Sequence, residues 1–216
     1  RDRITLKNVK KEYGKNQVLF ENLSLEIEKG EFVGLVGKSG AGKTTLLNII
    51  GLITDISEGT ITIDSHKNLS MNGKNAMILR RYTIGYLFQN YGLIEDESVL
   101  WNLKLALEYK KVKKEEKLKL INKYLKQFEL SDMLNKKVYQ LSGGEQQRIA
   151  IIKLILQGSQ IILADEPTSG LDKENELIVM KLLKELNEKG ITIIMVTHNM
   201  NLCDCFSRVI NVENFR

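Results

Sequence analysis

Between Val36 and Leu46 the chain reads Gly37-Lys38-Ser39-Gly40-Ala41-Gly42-Lys43-Thr44-Thr45. Residues 37–44 match the pattern G-x-x-x-x-G-K-[ST]. Glycines let a backbone curl until its amide N–H groups converge on one concave spot, which suits a chain of phosphates. Lys43 would then reach the outer phosphates, and the Thr44 hydroxyl would ligate Mg2+. The pattern carries meaning only between a strand and a helix. Phe32-Val33-Gly34-Leu35-Val36 is a mostly apolar run of the kind buried on both faces of a sheet. Residues 44–50 read as helix, whose N-terminus would add partial positive charge.

A magnesium ion needs a second anchor. In phosphate-transferring enzymes of this kind a carboxylate at the end of an apolar strand supplies it. Ile161-Ile162-Leu163-Ala164 ends in Asp165, and Glu166 follows at once. Asp165 is expected to face the metal, and Glu166 to polarise the attacking water as general base. Pro167, the only proline in 216 residues, fixes the chain as it leaves the strand. Together the two motifs predict a nucleotide triphosphatase.

A third segment, Leu141-Ser142-Gly143-Gly144-Glu145-Gln146-Gln147-Arg148, narrows the class. Ser142 and Glu145 have the spacing of a capping box. That accounts for a serine and a glutamate, but not for two glycines where helix formers belong. A second phosphate-binding device accounts for all four. Ser142 offers a hydroxyl, Gly143 and Gly144 offer backbone amides, and a helix starts there.

This segment resembles the signature of the ATP-binding cassette ATPases, and other stations of that family follow in order. Tyr13 sits where an aromatic ring stacks on adenine, although a plain surface tyrosine fits the same spacing. Gln89, after Tyr86-Leu87-Phe88, resembles the glutamine that touches Mg2+ and the water. Ser169-Gly170-Leu171-Asp172 resembles the loop that faces the opposite subunit, and Asp172 also suits an N-cap for a helix from Lys173. His198, after Val196-Thr197, resembles the histidine that holds the γ-phosphate. The resemblance implies that Lys43, Gln89, Glu166 and His198 carry the chemistry. Thr44, Gln89 and Asp165 hold the metal. ATP lies on Tyr13, residues 37–45, Ser142, Gly143, Gly144 and Asp172. It also implies a head-to-tail homodimer, in which the signature of one copy covers the ATP of the other.

Residues 84–94, Ile-Gly-Tyr-Leu-Phe-Gln-Asn-Tyr-Gly-Leu-Ile, resemble the branch serving macrolide export, lipoprotein release and bacteriocin export. The phrase from Asn90 to Asp96 is most similar to bacteriocin-export members. The branch implies a separate transmembrane permease as partner. It places the chain at the cytoplasmic face of the plasma membrane, held there peripherally. This chain departs from the pattern at Lys38, usually proline, at Lys153, usually arginine, and at Trp101, usually glutamate. Trp101 is either a partner contact or a core residue of the helical lobe. A soluble cassette ATPase of DNA repair or chromosome organisation is the alternative function.

The elements that must position these groups form an α/β pattern. Strands are expected at residues 4–9, 23–27, 32–36, 61–64, 83–88, 161–164, 191–196 and 208–212. Helices are expected at 44–50, 99–109, 115–130, 144–157 and 173–189. Strand–helix alternation implies a P-loop, RecA-like core with a mainly parallel sheet. The first strands form a small antiparallel layer. The expected core is 1–88 with 158–216, and residues 89–157 form a helical subdomain.

Composition agrees with a folded globular chain: 43% hydrophobic and 27% charged. No stretch reaches the roughly 18 apolar residues of a membrane span. Arg1-Asp2-Arg3-Ile4 lacks an apolar h-region, so no secretory signal is expected. Cys203 and Cys205 have no histidine at zinc spacing and read as reduced thiols. Net charge is +5. Residues 104–137 hold eleven lysines against five acids, a net of +6, leaving −1 elsewhere. That clustering is unlike a nucleic-acid stripe, and no nucleic acid partner is expected. A solvated helix face and contact with an anionic leaflet are both open.

Overall fold

Alternation at period two divides the central strands between two cores. The computed structural model describes residues 2–215. In chain order the elements are β1 (Asp2–Tyr13), β2 (Gln17–Glu28), β3 (Phe32–Val36), α1 (Lys43–Ile50), β4 (Glu58–Ile63), α2 (Lys74–Tyr82) and β5 (Ile84–Leu87). Then come α3 (Val99–Ala106), α4 (Lys114–Gln127), α5 (Gly143–Gln157), β6 (Ile161–Asp165), α6 (Lys173–Glu188), β7 (Thr192–Val196) and β8 (Arg208–Asn211). Ile161, Leu163, Ile194, Val196, Val33 and Leu35 pack on the α1 side, with the antiparallel strands. Ile162, Ala164, Ile193, Met195 and Phe32 pack on the α6 side, continuous with the core of α3, α4 and α5.

The main sheet has the order β5-β6-β7-β3-β8, and every pairing in it is parallel. The smaller sheet, β2-β1-β4, is antiparallel. The α/β class with a small antiparallel layer is therefore as expected. Element ends differ. The helix expected to reach Tyr109 stops at Ala106, and the one expected to reach Leu130 stops at Gln127. Helix α2 is an addition to the expected set; only Ala76 and Leu79 of its residues are buried, so its apolar stripe is thin.

A parallel sheet places all its carboxyl ends at one edge, and ligands bind outside that edge. Four connections leave it together here. The glycine-rich loop follows β3, the Gln89 loop follows β5, the Glu166 turn follows β6, and the His198 loop follows β7. Register brings the ends close: Val196 pairs with Leu35 on one side and with Asp165 on the other. Ala164 pairs with Leu87. Among the described residues no helix is long and apolar enough to cross a membrane.

Candidate active site

Helix α1 begins on Gly42, which sits at φ +97°. That left-handed conformation strains any residue with a Cβ. A Cβ there would also meet Phe20 at 2.7 Å and Leu19 at 3.0 Å. The loop therefore lies directly on the antiparallel layer. Lys43 is 6% exposed, so its ammonium needs partners. It donates to the Gly37 carbonyl oxygen at 2.6 Å and to Nδ1 of His198 at 3.1 Å. The other edge of that ring, Nε2, meets the Glu166 carboxylate. Accepting at Nδ1 leaves the histidine hydrogen on Nε2, facing Glu166.

Thr44 Oγ1 donates to Asp165 Oδ2 at 3.4 Å. Burial is the largest influence on Asp165 and pushes its carboxyl above the usual range. The Thr44 hydrogen bond and the nearby His198 and Lys43 pull it back. A hydroxyl and a half-buried carboxylate meeting at one point make an all-oxygen donor set, which suits Mg2+. Gln89 is exposed, and its Nε2 donates to Ser169 Oγ at 3.2 Å. Tyr13, 48% exposed at the end of β1, shares a hydrogen bond with Thr45 Oγ1 at 3.2 Å.

These groups line one open cavity of about 430 Å3. Of the expected residues it brings together Tyr13, Ser39, Gly40, Gly42, Lys43, Thr44, Thr45, Gln89, Asp165, Glu166 and His198. Leu19 and Val196, which no motif pointed to, complete the wall. Gly37 enters through its carbonyl on Lys43, while Ala41 is 1% exposed and belongs to the core beneath. Lys38 is not among the lining residues.

Ser142, Gly143, Gly144 and Asp172 are not among them either. Ser142 caps α5, accepting from the Glu145 amide at 3.2 Å, while Glu145 accepts from the Ser142 amide at 2.8 Å. The two glycines have a packing reason. A Cβ on Gly144 would collide with the side chain of Asn175, and one on Gly143 would lie 2.7 Å from Tyr91 Oη. Asn175 is held in turn by Asp172, whose Oδ1 accepts from its backbone at 2.8 Å and its side chain at 2.9 Å. Those bonds hold the Asp172 carboxyl below its ordinary value.

No motif gives Gln147 a role of its own. It is completely buried, on the α5 stripe that continues through Ile151 and Leu154. Its amide donates to Pro167 O at 2.5 Å. A glutamine on an otherwise apolar buried stripe was the available signal. Trp101, open between two readings, is 40% exposed and so is not a core residue.

Comparison with known proteins shows the family of this chain. The family model described as "ABC transporter" matches residues 20–169. The macrolide export ATP-binding/permease protein MacB of Campylobacter jejuni is 41% identical over 211 residues, covering 98% of this chain. The chain spans only 33% of that relative's length. The uncharacterized ABC transporter ATP-binding protein MJ1508 of Methanocaldococcus jannaschii is 41% identical, with 98% of this chain and 96% of that one covered. Among solved structures, a dimeric post-hydrolysis state of the ATP-binding cassette MJ0796 bound to ADP and Pi superposes with a TM-score of 0.85. It is 39% identical and covers 96% of this chain and 93% of that one. A P-loop, a strand-end Asp–Glu pair, and a capped signature helix outside the cavity are thus combined in a chain that belongs to the ABC transporter family, as an ATP-binding cassette ATPase.

Proposed function

We propose that this chain hydrolyses ATP as a head-to-tail pair of identical copies and drives a separate membrane permease. The observation that carries this is the division of the site. The cavity is lined by Lys43, Thr44, Gln89, Asp165, Glu166 and His198, the residues suited to phosphate, metal and water, while Ser142, Gly143 and Gly144 stand outside it on α5. In each chain the signature turn is left to cover a nucleotide on the other copy. The related cassette MJ0796 was solved as a dimer, which supports the reading.

In this reading Lys43 and the amides of residues 39–45 bind the β- and γ-phosphates. Tyr13 offers its exposed ring to adenine. Thr44, Asp165 and Gln89 would hold Mg2+, which would supply neutralisation of developing phosphate charge. Glu166 accepts the proton of the water that attacks the γ-phosphorus as the bond to the bridging oxygen breaks, giving ADP and phosphate. His198 releases Lys43 and turns its ring to the γ-phosphate. Loss of that phosphate removes the contact joining the copies, and the pair opens. Residues 89–157 act as the subdomain that carries the signature to the partner.

The permease docks on a groove of about 320 Å3 between α2 and the end of α3. Met77, Tyr82, Leu105 and Tyr109 give it apolar and aromatic walls, and Arg80 and Arg81 lie among them. Arg81 rests over the Tyr109 ring at 4.3 Å. Trp101 lies one turn before Leu105 on the same side of α3. Resemblance to macrolide exporters favours export, with a peptide or bacteriocin, a drug or a lipid-linked molecule as cargo. The chain then sits peripherally at the cytoplasmic face of the plasma membrane.

The test is Glu166→Gln. Hydrolysis should fall by about 10²–10⁴-fold, the usual worth of a general base. The variant should accumulate as an ATP-bound dimer in sedimentation. A protein that stays monomeric at saturating ATP and Mg2+ overturns the head-to-tail reading.

A further inference from the structure

Glu166 is not glycine, yet it sits at φ +49°. The residue after it is Pro167, which has a carbonyl and no N–H. A left-handed residue followed by proline turns the chain sharply off the end of β6, and Pro167 is buried. A buried carbonyl must find a donor. The donor is Nε2 of Gln147, at 2.5 Å, reaching across from α5. The same Nε2 lies 3.5 Å from Phe88 O, a longer contact just ahead of Gln89. One fully buried side chain on the signature helix therefore touches the backbone beside both Glu166 and Gln89.

We propose that Gln147 is a positioning residue, tying the signature helix of each chain to the Glu166 turn and the Gln89 loop of that same chain. This rests on the roles given above to Glu166 and Gln89. The physical consequence is a link between two sites. In that reading the start of α5 faces the nucleotide on the partner copy, while five residues on, the same helix holds the backbone turn that carries Glu166 of its own copy. Seating of the signature turn on the partner's ATP is thereby conveyed to Glu166 through a rigid helix and one hydrogen bond.

The test uses mixed dimers in which only one carboxylate can hydrolyse. In the first, one chain carries Gln147→Met and the other Glu166→Gln, so the working Glu166 lies beside the altered glutamine. In the second, both substitutions sit on one chain, so the working Glu166 keeps its native Gln147. The first should turn over about 10- to 100-fold more slowly than a wild-type/Glu166→Gln dimer, the scale of a misplaced catalytic group. The second should match that control. ATP affinity of the Gln147→Met monomer should be unchanged. Gln147→Asn, too short to reach Pro167 O, should behave like Gln147→Met and serves if that variant does not fold. Equal rates in the two mixed dimers, or slowing only in the second, overturn the proposal. If the wild-type/Glu166→Gln control does not form a dimer, the head-to-tail reading has failed. Turnover of Gln147→Met alone at saturating ATP then decides the positioning role, and unaltered turnover overturns it.

Discussion

The Lys43 ammonium lies 3.1 Å from Nδ1 of His198, so residues 155 positions apart in the chain share one hydrogen bond. With Gly37 O on one side and Glu166 beyond the imidazole, Lys43, His198 and Glu166 form a continuous polar line.

Lys43→Ala breaks that line and removes the only lysine or arginine among the described residues lining the cavity. ATP affinity should fall at least about 30-fold, the equivalent of 2 kcal/mol for truncating one side of a desolvated charge pair. Titration of the variant with ATP, followed by calorimetry, measures it. Affinity equal to wild type would remove Lys43 from the phosphate site.

Asp165 gives a pH prediction whose sign is fixed by the direction of its shift. Burial raises its folded-state value above the unfolded one. The native state therefore holds the proton more tightly, and this contribution to stability is present at low pH and lost as pH rises through the raised value. At pH above the ordinary carboxylate value this carboxyl therefore opposes folding. Asp165→Asn should thus melt at a higher temperature than wild type at pH 7 without ligand. The gap should close as pH is lowered toward about 4, the ordinary carboxylate value. Added ATP and Mg2+ should reverse the order, because a ligand stabilises in proportion to its affinity. An Asp165→Asn chain less stable than wild type at pH 7 without ligand would show that its pairing with Lys43 and His198 outweighs burial.

Legibility in the sequence followed locality. Strand β3, the loop at 37–44 and helix α1 are adjacent, so a pattern with its flanks was enough to find them. Fully buried strands such as β6 and β7 announce themselves as apolar runs with no polar interruption. Helix α2 escaped because two buried residues in nine leave hardly any period to read. Gln147 and Asn175 escaped for another reason: each is explained only by what it touches, Pro167 O and Gly144, which lie on other elements. Trp101 could be assigned to neither core nor surface because one aromatic in a helix fits both, and only its exposure decides.

Amides offered to a phosphate are one reason for the pair Gly143–Gly144, and the structure adds a steric reason that can be tested alone. Asn175 occupies the volume where a Cβ on Gly144 would sit, and its amide is anchored on Asp172. The contact lies within one chain, on the side of α5 that faces α6. Gly144→Ala should therefore destabilise even the isolated monomer, by about 1–3 kcal/mol as an overpacked site does. For a chain of this size each kcal/mol lowers the melting temperature by about 2–4 °C. Asn175→Ala should cost less, since the Asp172 cap on the Asn175 backbone amide survives. Combined, the two substitutions should be favourably non-additive, because the methyl group added at position 144 enters the space that Asn175 leaves. A double-mutant cycle by thermal unfolding measures the coupling. Strict additivity would mean that Asn175 does not determine the glycine, and that only the approach of a phosphate from the partner copy does.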